Sequence, residues 1–539
     1  MTITPRKRIA VHPAPSDPRI VRLLGCLSAA FEVDFVPIAK PEDLREDAVL
    51  LLADDDASQL RKLASFPAVF SAPAPRPEAG KASAPIRFSA DKALAASFRG
   101  ETLVGEISSD LRVIEVSGMV PLAQAGDRPV WLVRAESPGL FHCRVNLPLT
   151  GLAAAEEIID GLQESEFISL LPLVDFVRRV SAEHAWVRPG LRATLIIDDP
   201  NLHSPRYGYI DYARLAERAR QVGFHACMAT IPFDGWYVNP QAAKIFRDFR
   251  DVLSLTVHGN DHEAKELARA VSADEAARVV AQAVARTEAI ERESGLAVAR
   301  VMVPPHGACS GVYLEALARA GFLGATTTRG AVWEHSDGRE RQPGSGMALA
   351  EIVHGLPIIH RFRFNSDRWR HRVAVSAYLE HPLLAYGHHG DFSGGLDAFD
   401  EVARRITDLG ATWVSPADLF ATNFETRLES RTRWVRPFSR QVVVPAETAD
   451  AELRCDLGEF ADAILSTNIY SSGNSPVDRR LTPNVAANVS VVYSRRIAIR
   501  VASSNPIDSL VTPARRTLVS SAARRLLSEG RDRWGGYRG

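Results

Sequence analysis

LRATLIIDDPN, residues 191–201, decides the fold: an apolar run, Ala193–Ile197, passes without a break into two adjacent carboxylates, Asp198 and Asp199. A short run of this kind, with no polar alternation, fits a parallel strand covered on both faces, with its chemistry at the C-terminal end. Downstream the same unit recurs. A helical stretch near 209–221 closes at Gly223 and leads to the strand Ala226–Ile231; a helix near 240–250 precedes the strand Val252–Val257. Ser272 with Glu275 forms a capping box, after which Ala276, Val279, Val280, Ala283, Val284 and Ile290 repeat at helical spacing up to Gly295. Strands at Val301–Val303, Ala325–Thr328, Leu383–Gly387 and Thr412–Val414, with helices near 312–320 and 396–409, continue the series. So many consecutive βα units predict a (β/α) barrel, whose function sits at the C-terminal strand ends.

Two further regions flank the series. Residues 8–73 alternate strand-like runs (Arg8–His12, Val33–Ile38, Ala48–Ala53, Ala68–Ser71) with helical ones (Pro18–Ala30, Ser58–Ala64), and a Pro- and Ala-rich stretch at 71–84 reads as a loop. Closely spaced strands follow at Leu103–Ile107, Arg112–Val116, Pro129–Val133 and Leu140–Val145. The expectation is an open α/β domain over 1–150, similar in outline to flavodoxin- or amidotransferase-like domains, but with no GxGxxG after its first strand and no nucleophile elbow at Cys26 or Cys143. A helical connector (151–190), the barrel (191–425) and a small β-rich, Arg-rich module (426–539) complete the organisation. Residues 431–539 hold 17 Arg, no Lys and 10 acidic residues, and 513–529 reads as a basic amphipathic helix.

Composition narrows the function. Of 539 residues, 46% are hydrophobic and 24% charged, an ordinary globular balance, and the net charge of -1 argues against a dedicated nucleic-acid binder. Five scattered cysteines without a CxxC pair suggest neither a disulfide framework nor a thiolate zinc site, and fit a reducing compartment. The basic N-terminus is followed by Pro13, Asp17 and Arg19 where an export signal would be apolar, and no apolar run is long enough to span a membrane, so a cytoplasmic address is expected.

The polar residues at strand ends carry the chemistry. Adjacent carboxylates cannot both face one partner, so one of Asp198 and Asp199 can ligate a metal while the other takes a proton. LTVHGNDH ends in His258 and His262, four apart, which on a short turn or the first turn of a helix can reach one divalent metal. VMVPPHG sets Pro304, Pro305, His306 and Gly307 at another strand end, a rigid turn able to approach a ligand. HPLLAYGHHGDF ends in His388 and His389, either of them a candidate general acid, with Asp391 near enough to orient it. Each motif alone has a plain structural reading: an acidic turn with a helix cap for the Asp pair, and polar loops with surface histidines for the others.

Taken in order, the Asp pair, HxxxH, PPxG and a late strand-end histidine resemble the polysaccharide deacetylase superfamily, also called carbohydrate esterase family 4 or the nodulation-deacetylase homology domain, over about residues 190–425. The resemblance implies a distorted barrel, commonly of seven strands. It implies Asp198 as catalytic base, Asp199, His258 and His262 as metal ligands, and His388 as general acid, with His389 the competing alignment. Pro305, His306 and Gly307 match the groove wall, and the implied metal is a divalent transition ion, zinc first. Tyr207, Tyr209, Phe233, Trp236 and Tyr237 can offer stacking surface to a sugar ring or be packed structure. Three departures stand out: Val303 occupies the place of the family's arginine, with Arg300 three residues earlier; Pro200 replaces the usual glycine; and the Trp and Asp motif is unassigned, with Trp333 and Asp337 nearby. The leading expectation is deacetylation of an N-acetylated sugar or glycan. The alternatives are a catalytically silent carbohydrate-binding or assembly protein and a hydrolase of another C–N bond.

Overall fold

The computed structural model describes residues 6–39, 46–52, 66–74, 80–108, 111, 118–137, 140–154, 156–335, 346–429, 432–445, 452–457, 460, 463–470, 477–481, 496–503, 506–507 and 527. The chain forms two units: Met1–Ala185 with Glu340–Ala348 and Arg370–Leu379, and Trp186–Arg339 with Leu349–Trp369 and Glu380–Gly539.

The first unit is built on a nine-stranded sheet: β1 (Lys7–His12), β2 (Val33–Pro37), β3 (Ala48–Leu52), β4 (Ala68–Ala72), β5 (Lys81–Phe88), β6 (Thr102–Ser108), β7 (Val120–Ala125), β8 (Arg128–Ser137) and β9 (Leu140–Val145), in the order β2-β1-β3-β4-β9-β8-β7-β5-β6. The strands β2, β1, β3, β4 and β9 run parallel and the remainder antiparallel, the open α/β sheet with an antiparallel extension that the sequence predicts. Helix α1 (Pro18–Phe31) starts where the Asp17 carboxylate accepts the Arg19 N–H at 2.8 Å. The expected loop at 71–84 is shorter than its composition suggests, because β5 begins at Lys81 and tolerates Pro85 inside an antiparallel ladder. The runs 58–64 and 112–116 lie outside the described residues.

In the second unit β10 (Arg192–Asp198), β11 (Ala226–Thr230), β12 (Leu253–Val257), β13 (Val298–Met302), β14 (Gly324–Thr327), β16 (Leu356–Arg363) and β17 (Leu383–His388) pair in parallel, and β17 and β11 both flank β10, closing a seven-stranded barrel. All seven residues of β10 are buried, as a strand covered on both faces requires. Crossover helices include α2 (Tyr212–Val222), capped by Asp211 and ended by Gly223 at φ 87, and α3 (Ala273–Ser294), capped by Ser272 and ended by Gly295 at φ 68.

The barrel strand that sequence periodicity passes over is β16. A hairpin leads into it: β15 (Glu351–Val353) turns through His354 (φ 49) and Gly355 (φ 73), the two-residue left-handed turn that lets flanking strands keep their twist. The expected last barrel strand, Thr412–Val414, is a two-residue strand, Thr412–Trp413, that joins only the first rungs of β10 outside the closed ring. The C-terminal part of the unit forms two small sheets, with Phe424, Val435, Val442, Val444, Ile499 and Val501 in a common core. The 489–493 run and nearly all of 513–529 fall outside the described residues. Among the described residues no helix is long and apolar enough to cross a membrane.

Candidate functional site

The end of β10 delivers two carboxylates to the barrel mouth and the backbone then separates them. Asp198 ends the strand beside Ala229 of β11 and His388 of β17, and is 2% exposed. Asp199 leaves the strand at φ 82, a left-handed conformation that Asp adopts more readily than most residues. This twist gives the neighbouring side chains different partners.

Asp198 faces the barrel interior. Arg361 of β16 donates from Nη1 to its Oδ1 at 2.8 Å, and the guanidinium of this buried ion pair lies over the Tyr386 ring, 4.1 Å from its centroid. His388 Nε2 stands 4.0 Å from the other oxygen, Oδ2, with 46% of its side chain exposed. One carboxylate thus has an oxygen tied to a permanent cation and the other facing an imidazole open to the mouth.

Asp199 joins the histidines. Its Oδ1 is 3.3 Å from His258 Nε2 and 3.0 Å from His262 Nε2, and the three donor atoms all lie within 4.8 Å of one another. His258 Nδ1 is 2.8 Å from the Val303 carbonyl, to which it must donate, so a neutral His258 presents its Nε2 lone pair to an ion and a protonated one presents Nε2–H to the carboxylate. Facing lone pairs at this range need protons or a divalent cation between them. Burial pushes the Asp199 carboxyl up, but the hydrogen bonds and charge of His258 and His262 hold it well below the usual carboxylate range. Burial pushes the His258 imidazole down, and contact with Asp199 and the charges of Asp198 and Asp199 more than offset this, raising it. An Asp-His-His set in which a backbone carbonyl orients His258 fits a divalent transition metal in both ligand type and number.

The other expected residues surround this floor. Residues 304–307 form the turn after β13: Pro305 is buried, Gly307 sits at φ 72 with its carbonyl accepting from Thr327 Oγ1 at 2.8 Å, and His306 is held at φ 57 with its ring 5.5 Å from that of His262. Burial and the positive charge of His262 and His258 push the His306 imidazole down. His389 packs edge-on against Tyr207 and parallel to Tyr209, at 5.4 and 5.9 Å between centroids, and a Cβ on Gly208 would lie 2.2 Å from its Nδ1. Trp236 is 67% exposed, 4.8 Å from the His203 ring and 6.0 Å from Tyr237; the same turn is tied to the loop between His258 and His262 by the Phe233 N–H to the Asn260 carbonyl, 3.0 Å.

The structure corrects one expectation and answers three points that the sequence leaves open. Asp391 does not orient the His388 ring: its Oδ2 accepts the His388 backbone N–H at 2.8 Å, while Oδ1 takes Arg363 and Asn365. Arg300 does not substitute for the missing arginine, because it pairs with Glu291 at 2.7 Å. Val303 does not leave Asp198 without a cationic partner, because Arg361 supplies one from a different strand. Of the two settings open to HxxxH, a short turn or the first turn of a helix, residues 259–261 take the first, and His262 sits at φ 55. Asp337 lies outside the described residues. Arg361 is the functional residue that motif reading misses; the signal available was IIHRFRF, a β-rich run with arginines on alternate positions after an HG turn.

No family model matches the sequence, and none of the curated proteins does. Among solved structures, the chain is similar to T48 deacetylase with substrate (16% identity, covering 43% of this chain and 90% of that one, TM-score 0.27) and to a family 4 carbohydrate esterase from Streptomyces lividans in complex with acetate (14%, 42% and 94%, TM-score 0.26). A peptidoglycan N-acetylglucosamine deacetylase matches at 15% identity over 45% of this chain and 97% of that one, TM-score 0.24. At such values these likenesses add nothing to what strand order and site geometry establish.

Proposed function

We propose that the second unit is a metal-dependent hydrolase that removes the acetyl group from an N-acetylated sugar or glycan. The observation that carries this reading is the division of labour at the end of β10: Asp199 completes a three-ligand set with His258 and His262, while adjacent Asp198, tied to Arg361, faces His388 at 4.0 Å. Asp199, His258 and His262 would hold a divalent cation, which would supply Lewis acidity for the carbonyl and for water. Asp198 Oδ2 takes a proton from the attacking water. Arg361 keeps the other oxygen of that carboxylate in place, so the base does not rotate into the ligand set. His388, open to the mouth, gives a proton to the leaving amine as the C–N bond breaks, so one water and one amide become acetate and a free amine. Pro305, His306 and Gly307 wall the groove, His389 braces Tyr207 and Tyr209 beside it, and the exposed face of Trp236 stacks on a sugar ring.

Zinc is the ion we propose, the substrate a soluble acylated carbohydrate, and the address cytoplasmic. A silent barrel is disfavoured by Arg361, which supplies the buried charge partner that Val303 cannot. The test is elemental analysis of the purified protein and of the His258→Ala/His262→Ala variant, with acetate release from N-acetylated sugars. About one equivalent of metal, lost in the variant, together with acetate release abolished by Asp198→Asn, supports the reading. Metal without acetate release moves the reading to another C–N bond or to binding alone, and no uptake of zinc, cobalt or nickel refutes it.

A further inference from the structure

Two histidines four apart meet one ion readily on a helix, where backbone carbonyls accept the N–H groups between them. Here residues 259–261 are loop, and those N–H groups go elsewhere. Asn260 N–H donates to Glu266 Oε1 at 2.7 Å, Asp261 N–H to Oε2 at 3.0 Å and His262 N–H to Oε1 at 3.0 Å. Three consecutive amides therefore close on one carboxylate, a concave nest of the kind that binds anions, and Glu266 is only 3% exposed.

The fit leaves no slack. Gly259 is at φ 66, and a Cβ there would lie 2.2 Å from Glu266 Oε1 and 2.5 Å from Pro305 Cγ, so the loop is clamped between the carboxylate and the groove wall. The side chains of the intervening residues are pinned from the other side: Arg286 of α3 holds Asn260 Oδ1 at 2.7 Å and pairs with the buried Asp261, and Asn260 Nδ2 reaches Gln282 at 2.9 Å. Each end of the loop then carries a ligand, His258 fixed by the Val303 carbonyl and His262 fixed through the amide that Glu266 grips.

We infer that Glu266 is a positioning residue for the metal: its carboxylate is the core around which the His258–His262 loop is wound, and it sets the reach of His262 towards Asp199. The inference rests on the metal reading above. Neutral, isosteric Gln offers one acceptor oxygen and turns an NH2 group towards at least one of the three amides, so the loop cannot close on it as it does on the carboxylate.

The test is titration of the metal-free full chain with cobalt(II), followed by visible absorption, for wild type, Glu266→Gln and Glu266→Ala, with circular dichroism to confirm folding. The expected result is an affinity about 10- to 100-fold weaker in both variants, the usual scale for loss of an outer-shell partner, with an altered absorption band that reports changed ligand geometry. Should Ala fail to fold, the isosteric Gln variant decides between the two outcomes. Affinity within twofold of wild type, or a lower affinity with an unchanged band, overturns the inference and reduces Glu266 to a stabilising residue. If the wild type itself takes up no cobalt, the metal reading falls and this inference with it; if the wild type binds and the variants match it, only the inference falls.

Discussion

Replacing Arg361 with Met removes a charge and keeps most of the side-chain volume, leaving the Asp198 carboxylate buried with no cation against it. At the observed 2.8 Å and an effective dielectric constant near 20, the attraction lost is about 6 kcal/mol before desolvation is counted. Removing the arginine also removes its own burial cost, so the net penalty should fall to about 3–5 kcal/mol, the range measured when one partner of a buried pair is deleted. For a cooperative unit of this size that corresponds to a drop of roughly 4–7 °C in the melting transition. The assay is calorimetry of metal-free wild type, Arg361→Met, Asp198→Asn and the double variant. Because the penalty comes from a stranded charge, the double variant should recover at least half of the loss shown by Arg361→Met alone. A transition within 2 °C of wild type for Arg361→Met would refute the reasoning, as would a double variant no more stable than the sum of the single changes. Acetate release should fall with Arg361→Met even at temperatures where the variant is fully folded, since the base loses its anchor.

Three other expectations follow from the same geometry. Metal uptake should weaken as pH falls, because His258 is raised above its ordinary 6.5 and a proton on it competes with the ion; cobalt affinity at pH 6 should be about tenfold or more below that at pH 8, and a flat profile between them would rule this out. Burial pushes Glu351 up, but His360 and Arg329 overrule it and bring its carboxyl from 4.5 down to about 2. A depressed carboxyl stabilises the fold fully above pH 4.5 and loses that contribution as pH falls towards 2, so the advantage of wild type over Glu351→Gln, about 3 kcal/mol near neutrality, should shrink to almost nothing across that window. An advantage of equal size in melting experiments at pH 3 and pH 6 would contradict the assignment. His388→Gln should cut acetate release by about 10²-fold or more with metal content unchanged, whereas His389→Phe should leave turnover within a fewfold while shifting stability; the reverse pattern would exchange their roles.

Much of the barrel was legible because parallel strands covered on both faces are written as short apolar runs, and because the residues that follow them at the mouth are polar. Asp198, Asp199, His258, His262 and His388 could be found in this way. Arg361 could not, since it is connected to Asp198 through the barrel interior and not along the chain: β16 stands one strand beyond β17, and Arg361 reaches the carboxylate across it. Glu266 was hidden for a related reason. The spacing HxxxH fits a short turn or a helical turn, and only the path of the amides shows that a side-chain carboxylate organises the loop. The Arg363–Asp391 contact shows the same limit at smaller scale, because sequence proximity assigns Asp391 to the His388 ring when it holds the backbone instead.

The chain does not pass from one unit to the other once. Between β16 and β17 it returns to the first unit for residues Arg370–Leu379, and earlier for Glu340–Ala348, and from these segments Met347, Ala374, Val375, Tyr378 and Leu379 sit in the first unit's hydrophobic core. A recombination event with a single crossover near residue 186 would therefore hand on a first unit with gaps in its core and a second unit burdened with orphaned apolar segments. The two halves can be exchanged between lineages only as a pair, and a gene fragment bearing the barrel alone carries part of its neighbour with it.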